Sequence, residues 1–142
     1  MLMRPFLAAA IVLSFSGCAA PPTVGEAVPA PANRLMTLQT EDHGKEATMT
    51  VVRESAIQAG HCFFGVFIDG KLVARLDNNE KATFHVKPGR RLVGVGSDPQ
   101  GVGPCSGNSQ YKREVATWIE VGERQTFRIA FQPMLDIRPS SY

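Results

Sequence analysis

The chain lacks any long stretch whose apolar residues repeat at helical spacing, and the best short candidate, Glu54 to Gly60, cannot hold a helix alone in water. It also lacks an excess of charge. At +2, with acidic and basic residues interspersed, electrostatics nominates no nucleic acid as a partner. Metal-ligand spacing is missing too: His43, His61 and His85 form no His-x-x-x-His, no Cys-x-x-Cys occurs, and His61 and Cys62 as neighbours on extended chain point to opposite faces. Gly96 and Gly101 stand at the spacing of a phosphate loop, but Val102 occupies the place of the lysine. Gly94 and Gly96 are followed by Pro99 where a dinucleotide fingerprint needs its third glycine. The serines from Ser55 onward lie in no nucleophile elbow, and Asp69, Asp77 and Asp98 fall in turns, where a carboxylate caps local backbone. No cofactor and no resident metal are expected, and catalysis has little to stand on.

What is present begins with a leader. Met1 to Arg4 carries one positive charge, Leu7 to Phe15 is apolar but too short to span a bilayer, and Ser16-Gly17 supplies small residues before a cleavage point. This is the pattern of a secretory signal peptide over residues 1–17. Phe15-Ser16-Gly17-Cys18 resembles the lipobox of bacterial lipoproteins, with Phe15 departing from the usual Leu, Val or Ala. The resemblance implies that Cys18 becomes the acylated N-terminus of the mature chain and holds it to a membrane. In the enterobacterial members of that family Asp after the cysteine retains the protein in the inner membrane, so Ala19 implies the outer membrane, facing the periplasm. More than one acyl chain makes such an anchor effectively permanent.

With Cys18 assigned to lipid, two of the three cysteines remain in an oxidising compartment, and Cys62 and Cys105 are the expected disulfide. That leaves too few thiolates for an iron–sulfur cluster. Residues 18–46 are Ala- and Pro-rich at first and then polar, and they read as a tether that favours extended conformations, with Arg34 to Glu46 able to hold a short strand or helical turn packed on the domain edge. From residue 47 to 132 the apolar period is two. Met49 and Val51 share a phase, as do Leu72, Ala74 and Leu76, then Ala82, Phe84 and Val86, then Val115, Thr117, Ile119 and Val121, and last Phe127, Ile129 and Phe131. Phe63 to Ile68 is apolar on both phases, as a central strand would be. The expected fold is all-β, a small antiparallel β-sandwich of about seven strands. Three hairpins are predicted, turning at Asp69-Gly70, at Pro88-Gly89 and at Gly122-Glu123. Residues 133–142 read as a poorly ordered tail.

The stretch FFGVFIDGKLVARL followed by FHVKPGRRLVGV resembles the small periplasmic β-sandwich domains of bacterial lipoproteins of unknown function, including the PEGA type. The resemblance implies a fold and no catalytic residue. The function expected is therefore non-catalytic: a membrane-anchored binding or structural domain, an accessory in the envelope whose partner is an envelope protein. Trp118 lies opposite the apolar phase of its strand, either exposed or covering a second layer, and Lys87, Arg90 and Arg91 cluster at the Pro-Gly turn. These four residues carry the alternative reading, a module that binds carbohydrate or peptidoglycan. A second alternative is a small metal-binding protein or hydrolase centred on His61 and the Gly-rich loop Ser97 to Ser109.

Overall fold

The computed structural model describes residues 26–55, 60–107, 112–131 and 133–140. The leader and Cys18 lie outside them. Among the described residues the architecture is all-β, with nine strands: β1 (Val28–Pro29), β2 (Ala47–Arg53), β3 (Phe64–Ile68), β4 (Lys71–Leu76), β5 (Glu80–Val86), β6 (Gly89–Ser97), β7 (Lys112–Ile119), β8 (Arg124–Phe131) and β9 (Leu135–Ser140). Five of them form one sheet in the order β1-β5-β2-β8-β9, and four form a second in the order β4-β3-β6-β7. The two sheets face each other as a sandwich.

Alternation builds the core. In the first sheet Ala47, Met49 and Val51 lie opposite Val86, Phe84 and Ala82, and all six are buried. In the second sheet Val66 and Ile68 lie opposite Val95 and Val93, again fully or almost fully buried. Phe127, Ile129, Ile137, Leu76 and Ile119 join the same cluster. Each such side chain contributes about 1.5–3 kcal/mol when it leaves water.

The hairpins are only partly as predicted. β3 and β4 pair antiparallel across Asp69-Gly70, whose φ angles of 49° and 80° are the two positive values of the turn that matches strand twist. The other two expected hairpins do not form. β5 pairs with β2 while β6 pairs with β3 and β7, so Lys87-Pro88 carries the chain from one sheet to the other. Likewise β7 pairs with β6, and β8 pairs with β2 and β9, so residues 120–123 cross the sandwich. A period of two says that one face of a strand is buried; it does not say which strand is its hydrogen-bonded neighbour. The turn at Gly122 is fixed from elsewhere: Gly122 N–H donates to the Glu46 carbonyl and Thr48 N–H to that of Glu123, which sets β8 parallel to β2.

Both ends of the expected domain also move outward. The tail is in part a strand, since β9 pairs with β8 from Phe131↔Leu135 to Thr126↔Ser140 and buries Ile137. Of the expected tether 18–46, the described residues are packed on the sandwich from Ala27 onward. Ala27 and Ala30 are buried, Val28 and Ala30 N–H donate to the carbonyls of Asn79 and Lys81, Met36 N–H donates to Val73, and His85 N–H donates to Leu38. Residues 26–39 are thus a strap joining β5 of one sheet to β4 of the other. Pro29 fits there because an edge strand can leave one N–H position without a partner. The opposite flank, between β7 and β9, has no such strap among the described residues.

Candidate functional site

The outer face of the four-stranded sheet collects the residues that remain uncommitted to the core. Residues directly opposite on paired strands share a face. Along β6 and β7 the outward pairs are Arg90↔Trp118, Leu92↔Ala116, Gly94↔Glu114 and Gly96↔Lys112. Trp118 is 64% exposed and Leu92 37%. Glu120 is two residues past Trp118, and its carboxylate accepts the indole Nε1–H at 2.7 Å. The backbone beneath is tied as well, because the Gln125 side chain donates to the Trp118 carbonyl and accepts from the Thr117 hydroxyl. The indole is therefore held at its polar edge while most of its apolar surface meets solvent. A large aromatic in that state is anchored and ready to stack, at little further cost in side-chain freedom.

At the other end of this face the side chains pair among themselves. Lys112 Nζ lies 4.7 Å from the Phe67 ring centroid and 2.7 Å from Glu114 Oε1. Gly94 sits under that cover: a Cβ there would meet Glu114 Cγ at 2.9 Å. The surface thus has a charged, internally satisfied end and an aromatic end at Trp118.

The basic turn divides. Lys87 and Arg90 are exposed, and Arg90 stands across from Trp118. Arg91 is engaged: its guanidinium bonds Asp69 Oδ2 at 2.6 Å and the Pro88 carbonyl, while Asp69 Oδ1 accepts the Leu92 N–H. It locks the β3–β4 turn to β6. Two of the three turn aspartates cap local backbone as expected, Asp77 accepting from Asn78 N–H and Asp98 from Gln100 N–H, whereas Asp69 serves the neighbouring strand β6 instead.

Around the disulfide the structure assembles a cluster that the sequence did not announce. Cys62 and Cys105 are bonded, with Cα atoms 5.2 Å apart, joining the start of β3 to the loop after its neighbour β6. Beside them the Phe63 ring receives Arg34 at 4.4 Å and Arg75 at 5.1 Å. Arg34 forks onto Glu80, and Arg75 forks onto the buried Asp98 with contacts of 2.8 and 2.5 Å. Those bonds hold the Arg75 guanidinium pKa above its ordinary value. Arg53 is also interior, 1% exposed, donating to the carbonyls of Cys62 and Leu76 and stacked 3.9 Å from the Phe64 centroid. Burial pushes its pKa down to about 10, so it stays cationic at neutral pH. These are groups that fasten the strap, β4 and the loop together.

The Gly-rich loop closes on itself. Gly101 N–H donates to the Asp98 carbonyl and Cys105 N–H to that of Val102, and a Cβ at Gly101 would collide with the Cys105 carbonyl. It leaves no cradle for a phosphate. His61 is exposed, and among the described residues no three His, Cys, Asp or Glu side chains gather as a metal site would require. Compared with known proteins, the chain matches no protein-family model and no curated protein.

Proposed function

We infer that the protein is a lipid-anchored periplasmic lipoprotein whose sandwich is a non-catalytic binding module, an envelope accessory that meets its partner with the sheet face around Trp118. The observation that carries this reading is an indole 64% exposed yet fixed by Glu120, opposite Arg90 and beside Leu92. Aromatic and arginine side chains dominate the energy of protein contacts when they lie at the centre of a patch. The lipobox-like Phe15-Ser16-Gly17-Cys18 supports the anchor, and Ala19 supports the outer membrane. A second reading makes the same face a glycan or peptidoglycan platform. It is favoured by the polar groups beside the ring, Glu120, Gln125 and Arg90, which can bond hydroxyls around a stacked sugar.

Photocrosslinking in intact envelopes tests both. A benzoylphenylalanine at Ala116, on this face, is expected to give one discrete adduct that Trp118→Ala removes. The same probe at Arg138, on the other sheet, should give none. A discrete protein adduct supports the first reading, and an adduct dissolved by a glycan hydrolase supports the second. Equal, scattered products from both positions would defeat the assignment of this face.

A further inference from the structure

The flank without a strap holds an apolar cleft of about 500 Å³. Phe64 from β3, Phe131 from the end of β8, and Pro133, Met134 and Leu135 from the turn into β9 supply its walls. The two rings stack with centroids 6.3 Å apart, and Met134 is 59% exposed. A volume of that order is typical of sites that take a small molecule or one hydrocarbon chain. It opens where the two sheets part, at the end of the sandwich next to β7.

The charge around this cleft has one sign. Lys112 and Arg113 line it, and among the described lining residues there is no carboxylate. Lys112 is already paired with Glu114 on the outward face. Arg113 differs. It lies opposite Val95, a fully buried core residue, so its side chain leaves β7 on the inward side, and among the described residues no carboxylate lies within ion-pair distance of it. The Ser97 hydroxyl lines the same space and can donate a hydrogen bond. One shell further in, the Arg53 cation stacks on the Phe64 ring, and its Nε and Nη2 have no hydrogen-bond partner among the described residues. An apolar body beside an unpaired, inward-directed cation, backed by a second cation in a low-dielectric interior, suits one kind of guest: a chain with an anionic end.

We propose that this cleft binds a single-chain anionic amphiphile, its hydrocarbon against Phe64, Phe131, Met134 and Leu135 and its carboxylate or phosphate on Arg113. The site is separate from the Trp118 face, which points out of the opposite side of β7. The two can fail independently.

The test uses the mature chain carrying Cys18→Ser, so that no detergent competes, and cis-parinaric acid as a fluorescent fatty-acid probe. Saturable binding is expected, displaced by palmitate and not by cetyl alcohol at equal concentration. Arg113→Glu should weaken the probe about tenfold or more, the scale of losing one partly desolvated charge contact. Met134→Trp, which fills the cleft, should abolish binding, and Trp118→Ala should leave it unchanged. Arg113 and Met134 are exposed, so both variants keep the core, and thermal melts confirm that they fold. Displacement by a lysophosphatidic acid and not by palmitate would place the headgroup as phosphate within the same proposal. No saturable binding, or equal displacement by acid and alcohol, or indifference to both Arg113→Glu and Met134→Trp, would overturn it.

Discussion

Arg75, half-buried, and Arg53, fully buried, show how differently one residue type can act. Arg75 forks onto Asp98, a carboxylate 3% exposed, so removing the cation strands a negative charge in the interior. Arg75→Ala is expected to lower the unfolding free energy by about 3 kcal/mol, read by urea denaturation. Because the folded pKa of Arg75 is raised, the contribution of this pair is fully present below the ordinary arginine value and is lost as pH climbs from that value through the raised one. Arg53 runs the other way. Its folded pKa is depressed to about 10, so between that value and the ordinary one the unfolded chain holds the proton and the folded chain has released it. Stability of the parent relative to Arg53→Met should therefore rise with pH above about 10, where burial of the cation ceases to cost. Comparing the two proteins at each pH cancels the lysines and tyrosines. At neutral pH Arg53→Lys should be the more harmful change, by about 1–3 kcal/mol, since lysine keeps the buried charge while losing the two-carbonyl fork and the stack on Phe64. None of this was legible in the sequence. An arginine at the end of an apolar strand reads as a solvated terminus until the opposite sheet is in place.

Among elements, the disulfide and β9 each make a separable contribution to a domain this small. Closing a loop of 43 residues is worth about 4 kcal/mol in the chain-entropy model. Cys62→Ser with Cys105→Ser should lose that much, and thiol labelling of denatured, unreduced parent should find both cysteines blocked. β9 covers the edge of β8 and buries Ile137, so Ile137→Ala is expected to cost about 2–4 kcal/mol. A tail lying loosely on the surface would show no such loss. The strands from β2 to β8 and the pair Cys62 and Cys105 could be read ahead because period two, Asp-Gly and the count of cysteines are local signals. β9 was missed because Asp136, Arg138 and Pro139 interrupt its apolar residues, and one buried position, Ile137, is too little pattern to identify a strand. The first half of the strap, residues 26–33, was missed because Pro and Ala make extended chain whether or not a sheet edge lies beside it, whereas the apolar residues from Leu35 to Leu38 already pointed to packing on the domain edge. Trp118 stood out by its phase on β7, whereas Arg113 did not, since only the register with Val95 shows which way it leaves the strand.

For the whole molecule, the position of the strap bears on the proposed lipid anchor at Cys18 and on how the domain would sit on it. If residues 18–46 were all tether, the domain could stand on the order of 100 Å from the lipidated cysteine. The fold reaches back to Ala27, buried against the sandwich, so fewer than ten residues separate Cys18 from the domain. A link of that length spans at most about 30 Å even when fully extended. Under the proposed lipid anchor the β1 edge would be the one held near the bilayer, while the flank with the cleft lies across the width of the five-stranded sheet. The expected outcome is specific. Benzoylphenylalanine in place of Val28, which is 54% exposed on β1, should crosslink to phospholipid in intact envelopes. A twenty-residue Gly/Ser insertion ahead of Glu26 should suppress those lipid adducts while the protein stays in the membrane fraction, and Cys18→Ser should release it to the soluble periplasm. Membrane retention of Cys18→Ser would remove the lipid anchor from the account. Release together with an absence of lipid adducts at Val28 would keep the anchor and set the domain farther out, which the short link does not permit, so that combination would count against the strap itself.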